Sequence, residues 1–129
     1  MADDEFRLAG YPTTSFVAST DLDRAQEFYG ATLGLEVVAN DGFALICRAA
    51  NRLVRVVAVE DFTPQPFTVL GWEVADVRAA VIALDARGVE FLRFQPDQDE
   101  LAIWTSPAGH RVAWFNDPDG NVLSLSQTP

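Results

Sequence analysis

The stretch Arg111-Val-Ala-Trp-Phe-Asn-Asp-Pro-Asp-Gly-Asn-Val-Leu-Ser-Leu125 decides how the rest of the chain is read. It spells strand, tight turn, strand. Val112 to Phe115 is rich in β-branched and aromatic side chains, which suit a pleated surface. In Asp117-Pro118-Asp119-Gly120, Pro118 presets its φ, Asp117 can hold the backbone ahead of it, and Gly120 accepts a positive φ without a Cβ clash.

Upstream, two segments share one plan. Thr13 to Ser19 reads as a strand, Asp21 as a helix N-cap, and Leu22, Ala25, Phe28, Tyr29 and Leu33 as an apolar helix face closed by Gly34. Thr68 to Val74, Asp76, then Val77, Ala80, Val81 and Leu84, closed by Gly88, repeat the sequence of events. Leu35-Glu36-Val37 and Val89-Glu90-Phe91 follow the two glycines as matched apolar-Glu-apolar triplets. An offset of about 55 residues thus relates two βαβββ units, and self-similarity at a fixed period is an architectural signal. Further strands are expected at 35–38, 43–48, 53–59, 89–94 and 101–104. Tyr29 is expected to pack its ring and reach water with its hydroxyl. The expected organisation is one domain over 1–129. It has a polar lead-in over 1–11, module one at about 12–60, a Pro-bearing linker at about 61–67 and module two at about 68–127. Neither half hides its apolar faces alone, so the halves should close on each other or on a second chain.

Composition narrows the function classes. Hydrophobic residues at 49% and charged ones at 22% describe a globular chain of 129 residues. A net charge of −10 with a pI near 4.3 disfavours nucleic acid and anionic membrane as partners. A single cysteine, Cys47, excludes an internal disulfide and a multi-Cys metal centre. The start Met-Ala-Asp-Asp-Glu-Phe lacks the basic and apolar regions of a signal peptide, and the expected location is cytoplasmic.

With the repeat and the hairpin in view, the chain resembles the vicinal oxygen chelate superfamily of glyoxalase, bleomycin-resistance and extradiol dioxygenase domains. The resemblance rests on Asp21-Leu-Asp-Arg-Ala-Gln-Glu-Phe-Tyr29, Leu33-Gly-Leu-Glu-Val37, Gly71-Trp-Glu-Val74, Ala86-Arg-Gly-Val-Glu-Phe91 and the Phe115-Asn-Asp-Pro-Asp-Gly-Asn121 hairpin. It implies an α+β fold in which two βαβββ modules form a cup-shaped mixed sheet, often completed in a homodimer. It also implies four inward metal-ligand positions, one on the first and last strand of each module. In this sequence they fall on Thr14, Val69, Ser124 and either Arg55 or Val57. None is His, Glu, Gln or Cys, and Thr or Ser hydroxyls alone are weak ligands for a divalent ion. The one histidine, His110, sits in a turn and reads as an exposed turn residue. No metal and no other cofactor is expected.

Strand alternation places Thr14, Phe16 and Ala18, Val69, Gly71 and Glu73, and Val112, Trp114, Val122 and Ser124 on the cup side. The first reading is a metal-free small-molecule-binding protein of the bleomycin-resistance type. An aromatic or amphipathic ligand would stack on Phe16 and Trp114, anchor on Arg55 and Glu73, and lie against Thr14, Val69 and Ser124. The alternative is an enzyme of the same fold (lyase, isomerase or dioxygenase-like) working without the usual metal site or with a displaced one, Glu73 serving as general base through a pKa raised by burial. A third is a non-catalytic interaction module whose dimer surface is its function.

Overall fold

The computed structural model describes residues 5–129, so the first four residues of the expected lead-in lie outside it. The rest of the lead-in is less polar than expected, since Phe6, Leu8 and Tyr11 all stand exposed.

The two helices start alike. Asp21 and Asp76 are both extended, with φ of −152° and −141°. Each accepts a bond from the backbone N–H three residues on, at 3.1 Å from Arg24 and 3.0 Å from Ala79. Each side chain thereby satisfies a donor that the first helical turn leaves open. The helices end alike as well, at Gly34 (φ +80°) and Gly88 (φ +90°), which terminate them without the penalty a Cβ would carry. Between cap and glycine they differ by one residue. Helix α1 (Leu22–Gln26) passes into a π-helical turn over Glu27–Thr32, whereas α2 (Val77–Asp85) stays α-helical. The offset between the modules is therefore 55 at the caps and 54 at the glycines, and the wider π turn absorbs the extra residue.

The strands are β1 (Ser15–Ser19), β2 (Glu36–Asn40), β3 (Ala44–Ala49), β4 (Arg52–Ala58), β5 (Thr68–Glu73), β6 (Phe91–Leu92), β7 (Trp104–Thr105), β8 (Arg111–Asn116) and β9 (Val122–Gln127). They form two sheets, ordered β1-β4-β3-β2 and β5-β9-β8-β6 with β7 also on β8. In each, the module's first and last strands pair in parallel and the rest are antiparallel. The sheets meet along β1 and β5. This is the α+β arrangement of two βαβββ modules.

Two expected strands shrink. The segments 89–94 and 101–104 keep only Phe91–Leu92 and Trp104–Thr105. The cause is a buried glutamine. Gln98 Oε1 accepts from the N–H groups of Phe94 and Gln95, and its Nε2 donates to the carbonyls of Leu92 and Ala102, at 2.6–2.8 Å. Asp99 also takes the N–H groups of Leu101 and Ile103. Backbone groups held by side chains do not enter a ladder.

One apolar core runs under both sheets on the helix side. Val17, Leu45, Cys47 and Val56 face it from the first sheet, Phe115 and Leu123 from the second. Phe115 joins the halves: its ring lies 6.4 Å from Phe28 of the π turn and 6.4 Å from Trp72 of β5, the latter stacked at 18°. Burying each such side chain contributes roughly 1.5–3 kcal/mol.

Candidate functional site on the cup face

The hairpin turn fastens the second module to the first. Asp117 Oδ1 accepts from the N–H groups of Asp119 and Asn121, as the turn chemistry predicts, and Gly120 has φ +88°. Asp117 Oδ2 accepts from the Tyr29 hydroxyl at 2.6 Å and from Asn121 Nδ2 at 2.8 Å. The Tyr29 hydroxyl thus bonds across the join instead of reaching water. Its ionisation is pushed far up, by burial first and then by the Asp117 charge and hydrogen bond. Asn121 Nδ2 also donates to the Ala18 carbonyl, tying the start of β9 to the end of β1. Val122 is covered at this tie, with 5% exposure, so it does not line the open cup as expected.

Asp119 accepts at Oδ1 from the Thr20 N–H, the Thr20 hydroxyl and Arg24. Its Oδ2 has no partner among the described residues, because the neighbouring Ser19 hydroxyl donates to the Asp21 carbonyl at 3.0 Å. A rotation of that hydroxyl would satisfy it. Burial opposes the Asp119 charge, but the Ser19 hydroxyl once turned to it, the Thr20 donors and the Arg24 guanidinium outweigh it and hold the carboxyl below its usual range.

The opposite face of the sheets is open. Phe16 is 60% exposed, and across the parallel β1–β4 pair it is matched with Arg55. Arg55 is half-buried and makes no ion pair among the described residues. On the second sheet, Gly71, Ser124 and Trp114 are cross-strand neighbours. Gly71 is small for a reason: a Cβ there would lie 2.5 Å from Ser124 Oγ and 3.3 Å from the Ser124 carbonyl oxygen. Trp114 is flanked by Phe94 at 5.4 Å and Trp104 at 6.1 Å, giving an aromatic wall rather than one free ring.

The register of β4, open from sequence, follows from these pairs. Phe16 and Gly71 each lie five residues before a capping aspartate, and they pair with Arg55 and Ser124. Arg55, not Val57, is thus the counterpart of Ser124. Thr14 precedes β1 and is exposed, and Val69 sits at a β-bulge with 37% exposure. Glu73 ends β5 and is exposed, so the burial that its role as general base requires is missing. His110 is exposed.

The four positions that the resemblance assigns to metal ligands thus hold Thr14, Arg55, Val69 and Ser124. Two hydroxyls, an alkyl group and a guanidinium do not fit a divalent cation, which the last of them repels. Among the described residues no group of three His, Cys, Asp or Glu side chains converges elsewhere. No described helix is long and apolar enough to cross a membrane.

Sequence reasoning missed the Tyr29–Asp117 pair and the Gln98 hub. Both partners of the first were noted separately, and nothing local in the sequence joins residues so far apart. It also missed a cleft of about 440 Å³ on the helix side, between α2 and the β3–β4 turn.

A chain of two capped βαβββ modules closed by such a hairpin defines a class, and the sequence profile of the Glyoxalase/Bleomycin resistance protein/Dioxygenase superfamily matches residues 12–125. The protein belongs to that superfamily. Its fold is similar to that of a glyoxalase family protein from Enterococcus faecalis, at 17% identity and a TM-score of 0.74 over 93% of this chain and 99% of that one. It is similar to a superfamily member from Sphaerobacter thermophilus, at 24% identity and a TM-score of 0.70 over 91% and 96%. A lactoylglutathione lyase from Agrobacterium tumefaciens shares the fold at 15% identity and a TM-score of 0.71, over 91% and 92%. No curated protein matches the chain.

Proposed function

We infer that the protein binds a small aromatic or amphipathic molecule on its cup face without a metal, as a homodimer. The observation that carries this reading is the pairing of exposed Phe16 with half-buried Arg55, which makes no ion pair among the described residues. An apolar ring beside a guanidinium accepts a flat ligand with an acidic end, the guanidinium supplying a directed fork of donors. The Trp114 wall offers a second apolar surface, and Ser124 a hydroxyl between the two. Thr14 and Val69 would line the floor, and exposed Glu73 would stand at the rim.

The donor set supports metal independence, because the Arg55 guanidinium repels a cation and Thr14, Val69 and Ser124 offer no charged ligand to hold one. Dimerisation is supported by β2, an edge strand exposed along its whole length, and by Phe43 beside it at 80% exposure. Such an edge invites cover by another chain.

Native mass spectrometry of protein purified without added metal or chelator tests the reading. A dimer carrying an organic adduct and no metal is expected, with the adduct lost in Arg55→Ala. A stoichiometric divalent ion would overturn it.

A further inference from the structure

The two modules repeat one plan, and at one pair of equivalent places they differ in depth. Counted from the capping aspartates, Ala25, Phe28 and Tyr29 of the first helix correspond to Ala80, Ala83 and Leu84 of the second. The partner turns differ too. Tyr29 faces the five-residue turn Asp117–Asn121 of module two, whereas Leu84 and Ala83 face the two-residue turn Ala50-Asn51 of module one. At the first place a cleft of about 380 Å³ is lined by Phe28, Gly88, Val89 and Asp117 and does not reach past the Tyr29 ring, whereas at the second a cleft of about 440 Å³ runs inward to Trp72, Val74 and Phe115. Its walls include Ala80, Ala83, Leu84, Ala50, Trp72 and Phe115.

We propose that this cleft is a second binding site, separate from the cup, which takes a planar aromatic monoanion. Its volume falls in the range of small-ligand pockets, roughly 300–1,000 Å³. The equivalent place shows what shape fits, since the Tyr29 ring is wholly buried there. The polarity is reversed. Tyr29 points a donor at a carboxylate, but Arg48 stands at the cleft, and Arg87 lies beside it, 4.0 Å from where a Cβ at Gly34 would be. Glu36 engages Arg48 at 3.0 Å, and Arg87 donates to the Thr32 carbonyl, which leaves a net positive mouth on a chain of charge −10. A ligand must therefore present an acceptor outward and a flat apolar body inward, along the stacked Trp72 and Phe115.

The test uses the full chain and 8-anilino-1-naphthalenesulfonate, an aromatic monoanion whose fluorescence rises in apolar surroundings. A probe at the cleft is expected, alongside any held in the cup by Phe16 and Arg55. Ala83→Trp, which fills the cleft, should weaken binding by about tenfold or more. Arg48→Ala should weaken the sulfonate at the cleft but not neutral N-phenyl-1-naphthylamine. Amide shifts on the wild-type protein should cluster at Ala50, Ala80 and Ala83, a readout that needs no variant to fold. Shifts confined to the cup residues Phe16 and Gly71, or cleft shifts that persist in a folded Ala83→Trp, would overturn the proposal. So would binding that falls as protein concentration rises, which would assign the cleft to contact between two copies.

Discussion

The Tyr29 hydroxyl and the Asp117 carboxylate, 88 residues apart, share a buried 2.6 Å hydrogen bond that joins the helix of one module to the closing turn of the other. A hydrogen bond to a charged group contributes about 1.5–3 kcal/mol net. Tyr29→Phe keeps the ring and removes only this bond, so unfolding in urea should show a loss of about 2 kcal/mol. Asp117→Ala should cost more, since it also frees the N–H groups of Asp119 and Asn121.

The same pair sets an alkaline limit. The Tyr29 pKa is raised in the fold, so the native state holds this proton more tightly than the unfolded chain. Its contribution is complete below the ordinary tyrosine pKa of about 10 and is lost as pH climbs beyond it. Absorbance at 295 nm should show Tyr29 ionising together with unfolding, and Tyr29→Phe should remove that part of the alkaline slope.

At the acid end the sign reverses. The Asp119 pKa is lowered in the fold, so its stabilisation is present above the ordinary aspartate value of about 4 and is lost as pH falls through the lower folded value. Asp119→Asn should flatten the dependence of unfolding midpoint on pH in that window. A slope unchanged from wild type would show that the Thr20 and Arg24 contacts do not act on its charge.

Gly71 and Ser124 should behave as a coupled pair. Gly71→Ala puts a Cβ 2.5 Å from Ser124 Oγ, and such overpacking costs roughly 1–3 kcal/mol. In a Ser124→Ala background most of that cost should vanish, as a double-mutant cycle on thermal unfolding would show.

If Arg55 repels a cation, a chelator should leave the thermal midpoint and any retained ligand unchanged. Added zinc or manganese should not raise the midpoint, because a ligand that binds only the native state must raise it. A metal-dependent rise would point to carboxylates brought together only in an assembly.

Much of this molecule was legible from local chemistry. Asp21 and Asp76 announced the helix starts, Gly34 and Gly88 the ends, and Asp117-Pro-Asp-Gly the hairpin, because each acts on backbone within a few residues. Strand parity separated Phe16 from Val17 and Trp114 from Phe115, since a pleat alternates without exception until a bulge intervenes. What stayed hidden depends on distance along the chain. Tyr29 and Asp117 meet only after both modules fold. Gln98 stands among polar residues between two expected strands, and its four backbone partners converge on it only in the fold. The π turn is a one-residue discrepancy between two matched segments, visible as an offset but silent about geometry. Glu73 was assigned a buried role that the end of β5, open to solvent, does not provide.

Cys47 carries a practical consequence. The only thiol in the chain is wholly buried on β3 beneath the first helix, and burial raises its pKa. A reagent that needs a thiolate can reach it only when the first module opens. The rate of its modification under native conditions is therefore a clock for that opening, built into the wild-type chain. Any ligand that closes the molecule further would make the clock run slow.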